Sequence, residues 1–173
     1  MTPKMHDSGE REQFEDGAVR DSGEGKTSFK LISPFSMLNW AKEKMELFHI
    51  EDGPLRILSF VLMFLKTKDT KNLTYAFYAC IEEYGWDRLS KWLQLGAEKY
   101  DERNWEKGMP FSRVVDSFIR HCFQEYAQEE DEDHGAAMTC NLMFLLHYIG
   151  AIEEGTLDPK WDDLPEYKRK DRE

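Results

Sequence analysis

PFSRVVDSFIRHCFQEYAQEEDEDHGAAMTCNLMFLLHYIG, running from Pro110 to Gly150, decides the fold. Apolar side chains at 111, 114, 115, 118, 119, 122, 123 and 126 repeat every 3.6 residues, so Phe111 to Tyr126 reads as a helix with one buried stripe. Pro110 sits at its first turn, where a missing N–H costs nothing. The other face carries Arg113, Asp116, Arg120, His121, Gln124 and Glu125. A short acidic joint, Glu129 to His134, separates this helix from Ala136 to Ile149, which is apolar nearly all round and reads as a buried helix. Asn141 lies inside it, and a buried amide costs a few kcal/mol unless hydrogen-bonded, so it must have a definite partner.

Working outward, Ser33-Pro34 opens a helix with apolar contacts as far as about His49, and Glu51 to Pro54 breaks it. Leu55 to about Lys66 is apolar on most sides, so it is either central or at a subunit interface. A polar turn precedes a third helix from Leu73 to about Tyr84, which Gly85 interrupts and Trp86 to Ala97 resumes. Lys99 to Met109 is a polar connection bearing aromatic residues. No stretch alternates with period two, which predicts an all-α helical bundle. Residues 1–16 have almost nothing to bury and are expected to be a mobile arm, 17–150 form the domain, and 151–173 are a polar tail anchored by Trp161 and Tyr167.

The formal net charge of −11 argues against nucleic acid or an anionic membrane surface as the main partner, since both need a basic footprint. A nucleotide remains open, because it needs only a few local cations and often a metal. The apolar run Ile57 to Leu65 is far short of the roughly 20 residues a bilayer span needs. No secretory h-region is visible at the N-terminus. Cys80, Cys122 and Cys140 stand at apolar helical positions without CxxC spacing, and read as reduced core thiols of a cytoplasmic protein.

The residues that carry chemistry gather in few places. Glu129, Glu130, Asp131, Glu132, Asp133 and His134 are too many like charges to pack without a counter-charge. They are either a solvated helix end, favoured by the helix dipole, or a site for a hard divalent cation such as Mg²⁺ or Mn²⁺. His121 and Glu125 are one turn apart on one face and either point at the joint or form a surface helix pair, while Asp116 and Arg120 read as an ordinary helix ion pair. Asn104-Trp105 on a polar loop suits either stacking on a planar base or insertion into the core. Arg20 and Lys26 lie in a glycine-rich segment, Gly17 to Pro34, which lacks P-loop spacing.

The ordered set GAVRD, GK and LI.P, then GAEKYDERNWEKGMPFSR, then D…RH, EDH…A…N and DDLP resembles the phage dATP/dGTP diphosphohydrolase family, relatives of the all-α MazG-type nucleoside triphosphate pyrophosphatases. The resemblance covers Gly17 to Pro34 and about Gly96 to Pro165, leaving 35–84 as inserted or diverged helices. It implies hydrolysis of a purine deoxynucleoside triphosphate, dGTP or dATP, to the monophosphate and pyrophosphate. It also implies a requirement for Mg²⁺ or Mn²⁺, and a homotetramer, with a dimer next. On the matching positions it places Glu132, Asp133 and His134 at the metal, with Glu125 as a further ligand. It makes His121 and Glu125 candidates for activating water. Arg20, Lys26, Lys99, Lys107, Arg113 and Arg120 are expected at the phosphates, Asn104 and Trp105 near the base, and Asn141 beside them. Glu129 and Asp131 are surplus acids on this reading.

One departure is plain: the MazG-type EExxE and ExxD signature is absent, with Glu130-x-x-Asp133 the nearest fragment. An HD-type phosphohydrolase is disfavoured, because His134 follows an Asp rather than preceding one. The alternative from another class is a non-enzymatic phage helper that binds a host protein through the apolar helix Leu55 to Leu65.

Overall fold

A computed structural model describes residues 5, 9–24, 26, 28, 29, 31–48 and 53–166. His49, Glu51, Asp52 and Tyr167, named above at a helix end, in a break and as an anchor, lie outside the described residues. Five helices dominate: α1 (Pro34–Phe48), α2 (Pro54–Thr67), α3 (Lys71–Tyr100), α4 (Phe111–Tyr126) and α5 (His134–Glu153). The all-α reading holds, with one small exception ahead of α1.

α5 is the helix the others are built on, packed against α3 on one side and α4 on the other. Its residues Ala136, Ala137, Met138, Leu142, Leu145 and Tyr148 are all buried. Each fully buried large side chain of this kind contributes roughly 1.5–3 kcal/mol. α5 is long and apolar enough to cross a membrane by length and composition, but over half of it is buried inside this fold. Gly135 lets it approach α3, because a Cβ there would stand 2.5 Å from the Tyr84 ring. α3 turns at Gly85, whose φ of 80° and ψ of 157° leave the helical region and divide the helix where sequence periodicity breaks.

α2 packs on α1, α3 and α4, and buries Leu55, Ile57, Leu58, Val61, Leu62, Phe64 and Leu65. Most of its apolar side chains are therefore spent on the core, with Phe60 and Met63 partly buried against it. This leaves little of the surface on which the helper alternative rested.

The exception is an antiparallel hairpin, β1 (Arg11–Gln13) with β2 (Val19–Asp21), paired Arg11 to Asp21, Glu12 to Arg20 and Gln13 to Val19. Its first strand falls in the arm expected to be mobile. The difference has a physical cause: the hairpin docks through polar contacts, which hydrophobic patterning does not register. Asn104 accepts the Val19 N–H at 2.8 Å and donates to the Val19 carbonyl at 2.7 Å, so a side-chain amide completes β2 as a neighbouring strand would. At the turn, Trp161 donates its indole N–H to Asp16 (2.8 Å) and packs edge-on to Phe14. Further along, Asp116 holds the chain by accepting the Phe29 N–H.

Candidate active site

The hairpin, the C-terminal half of α3, α4 and α5 enclose a cavity of about 340 Å³. Arg20, Lys26, Ser117, Arg120, His121, Asp131 and Glu132 give it polar walls, and Leu93, Ala97, Trp105 and Phe144 give it apolar ones. α3 and α5 run side by side: Tyr84 packs at Gly135, and Trp105, just beyond α3, stacks on Phe144 with ring centroids 5.0 Å apart.

At the joint, His121 from α4 and His134 from the first turn of α5 bring their Nδ1 atoms to 3.0 Å, both rings buried. Glu132 places a carboxylate oxygen 3.8 Å from His121 Nδ1. Asp131 lies 2.9 Å from His134 Nε2. Burial keeps His121 neutral by lowering its pKa well below the ordinary value, and the charge of Arg120 adds to this. Neutral imidazole is the form that offers a lone pair to a metal. Asp131 accepting the Nε2–H of His134 leaves that ring's Nδ1 free to ligate as well. His121, Glu132 and His134 each present a donor atom within 4.8 Å of the others. Two nitrogens 3.0 Å apart suit neighbouring ligands of one cation at about 2.1 Å. The donor set fits a divalent cation.

Beside it stands a group of cations. Arg20, from β2, donates to Ser117 Oγ and Asn141 Oδ1, both at 2.8 Å, and Arg120 donates to Ser117 Oγ at 3.1 Å. Asn141 completes its amide by donating to Ala137 O at 2.7 Å, so it has the definite partner its burial demands. Burial lowers the pKa of Arg20, Arg120 and Lys26 alike, and neighbouring guanidinium charges lower them further. The Nη1 atoms of Arg20 and Arg120 are buried with no hydrogen-bond partner among the described residues. In a chain of net charge −11, these cations are gathered close enough to act on one another.

The family model for dATP/dGTP diphosphohydrolase, N-terminal, matches residues 67–156, just over half of the chain. The chain belongs to this family. No curated protein and no solved structure matches it. The match begins inside 35–84, the segment left out of the resemblance, so the first half of α3 belongs to the diphosphohydrolase region.

Within this member of the family the expected residues part company. Arg20, Lys26, Asn104, Trp105, Arg120, His121, Glu132 and Asn141 line the cavity, and His134 joins them through the histidine pair. Asp133, expected at the metal, is elsewhere. Its Oδ1 caps α5 by accepting the Ala136 N–H at 3.0 Å, and both oxygens take Arg88, at 2.5 and 3.1 Å. Glu125 does not line the cavity either. Burial raises its pKa, offset by Arg88 and His134, and it accepts from the Gly135 backbone.

Three expected phosphate ligands are occupied outside the cavity. Lys99 binds Asp21 at 2.7 Å, Lys107 is exposed and reaches Gly17 O at 3.5 Å, and Arg113 donates to Asp21 O at 2.9 Å and pairs with Glu12. Asp116, read as the ion-pair partner of Arg120, does act on the Arg120 charge, and it also anchors the N-terminal segment. Asn104 spends its amide on Val19, and Trp105 stacks on Phe144 against the core, so of the two uses foreseen core insertion is the one seen, at the cavity wall.

Sequence reasoning missed Asp21, Tyr100, Ser117, Asp131 and Arg88. Asp131, a surplus acid by the motif, touches His134. The Tyr100 hydroxyl donates to Asp21 at 2.7 Å, Lys99 binds the same carboxylate, and Arg11 adds a contact at 3.0 Å. Burial would raise the Asp21 pKa, but these hydrogen bonds and the Lys99 charge bring it below the ordinary value. A signal for this existed: GAVRD and KY are separate pieces of one motif, and here they meet.

Proposed function

We propose that the protein hydrolyses a purine deoxynucleoside triphosphate, dGTP or dATP, between the α and β phosphates, releasing the monophosphate and pyrophosphate. The observation that carries this reading is the pair of buried, unpartnered guanidinium nitrogens of Arg20 and Arg120, set in a cavity beside a His–Glu–His donor set. Arg20, Arg120 and Lys26 bind phosphate oxygens, and the gain is large because these charges are already desolvated. Ser117 and Asn141 aim Arg20. His121, Glu132 and His134 hold a divalent cation, Mn²⁺ or Mg²⁺, and two imidazoles favour Mn²⁺ over the oxygen-loving Mg²⁺. Bound there, the cation would neutralise phosphate charge and acidify a water for attack on phosphorus. Asp131 keeps the Nε2 proton of His134, fixing the tautomer.

The expected assembly is a homotetramer. Tyr75, Tyr78 and Trp86, which are 52%, 60% and 64% exposed on α3, support an associated form.

Purified protein with Mn²⁺ is expected to convert dGTP or dATP to monophosphate and pyrophosphate, followed by phosphorus NMR. Release of single orthophosphate would overturn the bond assignment, and inertness toward every triphosphate would overturn the reading.

A further inference from the structure

The cavity holds one acid that neither the proposed chemistry nor a partner side chain among the described residues uses. Asp101 follows the last residue of α3, lines the cavity, and has φ 81° and ψ 152°, a backbone region that is essentially glycine's alone. The chain accepts that strain to put a carboxylate here. Its main chain is engaged on both sides: the N–H donates to Ala97 O at 3.0 Å, and the carbonyl accepts from Asn104 at 3.4 Å. The side chain has no hydrogen bond or ion pair with any described residue. The other acids of the cavity are committed: Asp21 to Lys99 and Tyr100, Asp131 to His134, and Glu132 beside His121. Arg103, the neighbouring cation with φ 56°, is paired with Glu106.

Asp101 stands away from the histidine pair. Trp92 packs edge-on to His121, and Asp101 lies nine residues further along α3, about 13 Å at the helical rise. Leu93 and Ala97 lie between them on α3, and with the stacked Trp105–Phe144 pair they give the cavity apolar lining that suits a purine ring.

We propose that Asp101 reads the base and selects guanine over adenine. Guanine's edge presents two adjacent donors, N1–H and the 2-amino group, which a carboxylate accepts together. Adenine presents an acceptor nitrogen at the same place and sets lone pair against lone pair. The inference rests on the nucleotide reading above, and it names the substrate within that class. Asp101 is exposed, so the selection is expected at the low end for a bidentate base contact, about tenfold.

The test is calorimetric binding of dGTP, dITP and dATP to the whole chain without added divalent cation, so that hydrolysis does not intervene. The unsubstituted protein is expected to bind dGTP about tenfold more tightly than dATP, with dITP between them because it keeps N1–H and lacks the amino group. Asp101→Gly, which suits the backbone conformation and so keeps the fold, is expected to lose the preference through weaker dGTP binding while dATP binding holds. Equal affinities in the unsubstituted protein, a preference retained in Asp101→Gly, or no binding of any of the three overturns the proposal. A preserved dGTP preference in a protein that hydrolyses nothing would overturn the proposed reaction and leave base selection standing.

Discussion

Two groups of charge lie on opposite sides of the α4–α5 joint, and they are built differently. On the α3 side, Arg88 grips Asp133 with two hydrogen bonds, lies 4.9 Å over the Tyr84 ring, and so locks the cap of α5. Every strong charge in that pair has its partner. On the cavity side, Arg20, Lys26 and Arg120 stand together with pKa values lowered by burial and by neighbouring cations, and two guanidinium nitrogens are buried unpaired. The first group stabilises the bundle, whereas the second costs stability as it stands, a cost that phosphate would offset on the proposed reading. On that reading satisfied charge marks scaffold, and frustrated charge marks the site.

Three substitutions break that contrast or sharpen it. The largest effect is expected from Glu132→Gln, which weakens the cation set. Steady-state turnover should fall by more than about a hundredfold, beyond the loss typical of a residue that merely supports a ligand, with helical content by circular dichroism unchanged. Near-full activity would place the metal elsewhere.

Arg120→Met should come next. It removes a phosphate contact, and kcat/KM is expected to drop by about 10²-fold, as for loss of one electrostatic donor. Its melting temperature should hold or rise, because a buried like-charged group has been taken out. A large loss of stability would show that Arg120 is scaffold after all.

Asp133→Ala is the converse. It should cost about 1–2 kcal/mol through loss of the helix cap, lowering Tm by about 3–6 °C. Activity of the folded protein should stay within about tenfold of the original. Abolished turnover at unchanged stability would return Asp133 to the metal.

Much of the bundle was legible because its signals are local. The apolar stripe and Pro110 set α4 at Phe111–Tyr126, Gly85 marks the turn in α3, and Cys80, Cys122 and Cys140 are free, buried thiols with pKa values raised by burial. The hairpin was not legible. β1 and β2 are three residues each, too short for alternation to show, and their anchors are Asn104, Tyr100 and Asp21.

At the site, the motif names His121, Glu132 and His134, and these three do come together. Asp131 and Asp133 stand the other way round from expectation, the first at the histidine pair and the second on Arg88. Consecutive residues in a non-helical joint have no fixed period. Which way each one faces depends on what waits there, Arg88 for Asp133 and His134 for Asp131.

The sequence by itself determined the helices, the buried stripes and the family, because 3.6-residue periodicity, proline, glycine and a long ordered motif are properties of the chain. Only the tertiary structure decided which charges meet. The contacts that build the cavity, Arg20 to Asn141, Val19 to Asn104 and Asp21 to Lys99, join residues some 80 to 120 positions apart. No local pattern encodes such pairs, and their energies arise only once the core has brought them together.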